Sequence, residues 1–165
     1  MPTEYILAYH CAPAFAGIKP SNIASCSKRE NPNITVQIKM LNEKLNKNDI
    51  YIDVLCECGE RVLLMVYRKQ KLCEYLQRDD IKSFLCDNGY PKEFSLAKYL
   101  AILKSRIYAQ RLMNKEFPHE IGAFLGYPLH DIYGFINHKH QGCLLTGEWK
   151  VYENTEQAKK VILSL

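Results

Sequence analysis

The sequence predicts an α+β fold: one domain over residues 1–165, with a mixed sheet of about four strands that contains a β-hairpin and carries about seven packed helices. Three observations lead there. Two adjacent runs rich in Val, Ile, Leu and Tyr flank Gly59-Glu60, which is the mark of a hairpin. Elsewhere apolar residues recur at helical spacing, in stretches bounded by Pro, Gly, Asn and Asp. Finally, a chain of 165 residues, 47% hydrophobic and 24% charged, has the composition of a globular protein. At that length folding removes roughly 70% of the unfolded chain's surface from water, enough for one sizeable core.

The elements follow in order. Residues 5–11 open with β-formers and end before Pro13 and Gly17, so a strand is expected there, delivering His10 and Cys11 at its carboxyl end. A loop through Lys19-Pro20-Ser21-Asn22 comes next. After Asn31-Pro32, the residues Ile34, Ile38, Leu41 and Leu45 mark an amphipathic helix running to about residue 46. The hairpin joins 50–58 to 61–68, and 62–67 is apolar at every position, as a central strand covered on both faces would be.

Helices then dominate. Leu72, Tyr75 and Leu76 indicate a short one, and Asp80 caps a second that bears Ile81, Phe84 and Leu85 and stops at Asn88-Gly89. A longer helix starts after Ser95, with Leu96, Tyr99, Leu100, Leu103 and Ile107 in one stripe. Pro118 and Pro128 open two more, carrying Ile121, Phe124 and Leu125, then Leu129, Ile132, Tyr133 and Ile136. A strand over 143–152 closes the sheet. Asn154 and Gln157 form a capping box for a last helix with Ala158, Val161, Ile162 and Leu165 inward.

Several function classes are disfavoured. The net charge of +4 comes from interspersed residues without a basic run, which argues against nucleic acid. No stretch approaches the roughly 20 apolar residues that cross a bilayer. The first residues lack the basic start and apolar stretch of a signal peptide, so a cytoplasmic protein without a membrane partner is expected. Seven cysteines, an odd number without a disulfide framework, read as reduced thiols.

Candidate chemistry gathers in two places. Cys11 beside His10 at the end of an expected strand offers a nucleophile and a base, although neighbours on a strand point to opposite faces. In 117–128, with Ile121, Phe124 and Leu125 turned to a core, His119, Gly122 and Gly126 at i, i+3 and i+7 share a face nearly bare of side chains. Glycine inside a helix costs about 1 kcal/mol relative to alanine, so two on one face imply close packing or a pocket. There His119 suits a general base and Glu120 an acid, a base or an orienting partner.

Lys19 and Arg106 are candidate holders of an anionic substrate. Cys56, Cys58 and Cys143 with His138 and His140 supply soft ligands, but without a C-x-x-C knuckle no metal site is assigned. No cofactor is specified by the residues.

His10-Cys11-Ala12-Pro13, Gly17-Ile18-Lys19-Pro20, the run His119 to Pro128 with its His-Glu-Ile-Gly start, and Trp149-Lys150-Val151-Tyr152 together resemble the uncharacterised bacterial DUF3793 family, over nearly the whole chain. The resemblance implies a stand-alone cytoplasmic bacterial protein and carries no activity with it. Three readings remain. The favoured one is a small-molecule site of the enzyme kind, built from the loop after the first strand and the His119 helix: Cys11 as nucleophile, His10 or His119 as base, Glu120 as partner, and Lys19, Arg106, Gly122 and Gly126 around the substrate. The others are a metal- or haem-linked binding protein and an interaction module without chemistry, using the glycine face and Tyr127.

Overall fold

The strand Arg61–Arg68 organises the molecule because every residue from Val62 to Tyr67 is apolar. Side chains of a strand alternate between faces, so such a run is stable only with cover on both. The computed structural model, which describes residues 2–115 and 117–138, provides that cover. Val62, Leu64 and Val66 enter one core, and Leu63, Met65 and Tyr67 the other.

Three strands pair in the order β1-β3-β2, all antiparallel: β1 (Ser21–Ser27), β2 (Ile50–Cys58) and β3 (Arg61–Arg68). The expected hairpin joins β2 to β3 through Gly59, whose φ of +58° suits a residue without Cβ. A bulge between Val54 and Cys56 turns Leu55 and Cys56 into the second core, while Val54 packs on the first.

On the first face lie α1 (Thr3–His10), α2 (Ala12–Phe15) and α3 (Ile34–Leu45), which buries Ile34, Ile38, Leu41 and Leu45 as its spacing predicts. Asn42 of α3 bonds both the amide and the carbonyl of Ile52, closing part of the open edge of β2. The second face holds α4 (Lys69–Leu76), α5 (Asp79–Asp87), α6 (Leu96–Leu112), α7 (Ile121–Phe124) and α8 (Leu129–His138). Ser95 caps α6 by accepting the amide of Lys98.

Two expectations are corrected. Residues 5–11 are helix, not strand: Ile6, Leu7, Cys11, Ala14 and Phe15 are all buried, and Leu7, Cys11, Ala14 and Phe15 recur at i, i+4, i+7 and i+8 across Pro13. The first strand is instead 21–27, placed in the expected loop; its Ser and Asn residues are poor β-formers, and pairing with β3 overrides them. The described sheet is therefore antiparallel rather than mixed, with eight helices among the described residues. The strand expected at 143–152 and the helix after it lie outside the described residues.

Candidate functional site

The turn that ends α5 builds the first cluster. Gly89 has a φ of +92°, and a Cβ there would stand 2.7 Å from Arg106 Nη2. Only glycine lets the turn lie so close against the guanidinium. Its neighbours each reach across. Asn88 Oδ1 lies 3.0 Å from His119 Nε2, and the Tyr90 ring lies under Arg106, 4.9 Å from centroid to Cζ.

Arg106 also pairs with Glu120. The Glu120 side chain is buried at 3% exposure, while that of Arg106 keeps 35% of its surface, so the pair joins the core to water. A carboxylate this deep is tolerable only with a counter-charge and good hydrogen bonds. The guanidinium has five N–H donors and has not spent them all on Glu120.

The His119 ring is fixed by the orientation of Asn88. Asn88 Nδ2 donates to the Phe84 carbonyl at 2.8 Å, which turns Oδ1 toward the imidazole. An amide oxygen accepts only, so Nε2 carries the hydrogen and the neutral ring keeps its lone pair on Nδ1. Phe84 meets the ring edge-on at 6.2 Å. Tyr90 Oη is buried without an aligned hydrogen bond among the described residues. Its ionisation is pushed up, by burial first and by the Glu120 carboxylate next, against the pull of Arg106.

A second cluster forms where the loop before β1 meets the other end of the same segment. Gly126, with a φ of +82°, packs so tightly that a Cβ would be 2.5 Å from Pro20 Cδ. Ser21 donates to the Phe124 carbonyl and Tyr75 to that of Tyr127, so the segment is tied to β1 and α4. Lys19 Nζ lies 4.5 Å above the Tyr127 ring. Burial lowers its pKa from 10.5 to about 8, partly opposed by the Cys11 sulfur.

The predicted residues thus divide. Glu120 meets Arg106 and the adjacent His119 meets Asn88 of the same cluster, while at the other end Gly126 packs on Pro20 and Lys19 on Tyr127, with Gly122 buried between. The shared bare face is corrected: α7 ends at Phe124 and the left-handed Gly126 leaves the helix, so Gly122 and Gly126 do not lie in one helical row. Cys11 caps α1 at 0% exposure, and its thiol is pushed up by burial first and by Cys26 second. His10 is exposed on α1 against the edge of Tyr9.

Among the described residues no three His, Cys, Asp or Glu side chains gather as a metal site. Cys143 and His140 lie outside that set. No helix among the described residues is long and apolar enough to cross a membrane. Asn88 and Tyr90 are the members that sequence reasoning missed. Asn88-Gly89 reads locally as a helix stop, and nothing local tells that its amide also reaches a histidine.

No curated protein and no solved structure matches the chain. The model of one family, described as a protein of unknown function (DUF3793), matches residues 7–164, and the signature residues that build both clusters fall inside that match: the chain belongs to the DUF3793 family.

Proposed function

We propose that the protein acts on a small anionic molecule at the Asn88–Tyr90, Arg106 and His119-Glu120 cluster, with His119 Nδ1 taking a proton and Arg106 holding the anionic group. The observation that carries this reading is the pair of bonds through Asn88, which sets the imidazole tautomer and leaves a basic lone pair on Nδ1, while the turn that holds Asn88 also packs against the Arg106 guanidinium. An imidazole oriented by a fixed acceptor is a common arrangement for a general base. Glu120 neutralises and positions Arg106, so that its planar fork is presented rather than free to swing. Burial and the Glu120 carboxylate keep the Tyr90 hydroxyl protonated beneath Arg106.

In this reading Cys11 and His10 stand outside the site. A bacterial cytoplasm would keep the six described cysteines as the free thiols they are. Histidine- and arginine-selective ¹⁵N NMR tests the proposal, with inorganic phosphate and malonate as separate probes. His119 should resonate as the neutral Nε2–H tautomer, and at least one anion should shift both the His119 ring and the Arg106 Nε signals in the wild type, with the His119 ring no longer shifted in Arg106→Met. A proton on Nδ1, or two anions that move neither residue, would sink the reading.

A further inference from the structure

The outer face of α6 carries an inference that does not rest on the His119 reading. A surface helix ordinarily turns charged and polar side chains to water. Helix α6 instead exposes the row Ala97, Ala101, Ser105, Tyr108 and Leu112, and Lys98 is the one charged residue among its exposed positions. Tyr108, Leu112 and the following Met113 keep 53%, 65% and 58% of their surface and join neither core. The opposite side of the same helix is already committed, with Tyr99, Leu100, Leu103 and Ile107 buried. A helix that is apolar on both sides is stable in water only when both are covered.

Reach and sequence pattern point to the cover. His138, the last described residue, ends α8, which packs in the second core together with α6, on the same face of the sheet. Extended, residues 139–153 span up to about 50 Å, more than the ~40 Å width of a domain of this length. The segment 154–165 can therefore reach α6 of its own chain. Its capping box, Asn154 and Gln157, and its row Ala158, Val161, Ile162 and Leu165 give it one apolar side at helical spacing. The family match runs to residue 164, so this segment belongs to the family's unit.

A second copy of α6 is a poorer occupant. The helix carries Lys98, Lys104, Arg106 and Arg111 without an acid, so two copies laid together would bring like charges close. The segment balances Glu153 and Glu156 against Lys159 and Lys160, and its tether gives it a high effective concentration. We propose that residues 154–165 form a helix that docks on the outer face of α6, setting Val161, Ile162 and Leu165 against Tyr108, Leu112 and Met113. The docked helix braces the element that carries Arg106.

Hydrogen–deuterium exchange of the intact chain, read by mass spectrometry, tests the docking. The first amides of a helix have no intrahelical partner, so the reading starts at Ala158. In the wild type, amides 158–165 should exchange well below their random-coil rates. Leu112→Glu should speed them about tenfold or more, because it places a charge in the contact. Met40→Glu, on the exposed side of α3, is the control and should leave them unchanged, with the β3 amides protected in both variants as the check on the fold. Random-coil exchange at 158–165 in the wild type overturns the proposal, and that reading needs no variant to fold. Protection that survives Leu112→Glu, or that is lost equally in Met40→Glu, also overturns it. So does protection that falls on dilution as a dimer dissociates in native mass spectrometry, which is the result a second copy would give.

Discussion

The two ends of the segment from His119 to Tyr127 treat a buried charge in opposite ways. At the Glu120 end the carboxylate is almost sealed from water and meets the Arg106 guanidinium. At the Tyr127 end the Lys19 ammonium is drawn into the protein and meets an aromatic face instead of an acid. Compensation makes the first end a fixed scaffold that can present the spare donors of Arg106. Its absence makes the second end a cation that is easily neutralised. One short stretch of chain, tied to α4, β1 and the α5 turn, thus meets two kinds of charge environment because its two ends pack against different elements.

Breaking the paired end should have the largest effect. Arg106→Met leaves the Glu120 carboxylate buried without its counter-charge and should destabilise by about 3–5 kcal/mol in urea unfolding. Adding Glu120→Leu removes the stranded charge and should restore much of the loss. If the double variant is no better than the single, the pair is not what makes the site tolerable.

The seam at the other end comes next. Gly126→Ala forces a Cβ into left-handed backbone and into the Pro20 ring, for about 2–4 kcal/mol. Gly17→Ala is the matched control: its φ is +77°, but its Cβ would meet Arg68 atoms no nearer than 3.7 Å. About 1 kcal/mol is expected there. Equal losses in melting experiments would mean that backbone strain alone, and not the contact with Pro20, sets the cost.

Lys19→Met sharpens the contrast because its sign is reversed. A lysine whose folded pKa is lowered binds its proton more weakly in the native state, so native Lys19 costs stability below about pH 8 and the cost fades toward pH 10.5. The variant should gain about 1–2 kcal/mol near neutral pH, discounted for the partial solvent access of the group. The gain should shrink as pH rises through that window; a constant difference would show that charge is not the cause. Asn88→Ala removes two side-chain hydrogen bonds, to the Phe84 carbonyl and to His119, for about 1–2 kcal/mol. Its more telling readout is the His119 tautomer, which should become a mixture in the ¹⁵N spectrum.

Much of the fold was legible wherever one element's own residues decide its structure. The hairpin followed from two β-rich runs and a glycine turn, α3 from four apolar residues at helical spacing, and α6 from its stripe and its Ser95 cap. The reading failed where composition and periodicity disagreed. Tyr5, Ile6 and Tyr9 suggest a strand, yet the buried row Leu7, Cys11, Ala14 and Phe15 has helical spacing, which the proline in its middle disguises. Residues 21–27 carry almost no strand signal, since Ser and Asn there gain their extended form from the partner strand.

For the candidate sites, the sequence determined the cast: His119, Glu120, Arg106, Lys19 and Gly126 stood out by residue type and by the glycines near them. It also determined that β3 must be covered on both faces, because six consecutive apolar residues leave no face for water. Only the tertiary structure decided who meets whom. It paired Glu120 with Arg106, gave His119 to Asn88, set Lys19 over Tyr127 and sealed Cys11 in the core. The reason is physical: periodicity reports which face of an element is buried, whereas the partner of a polar group depends on contacts between residues distant in the chain. Asn88 and His119 are 31 residues apart, and no local pattern carries that distance.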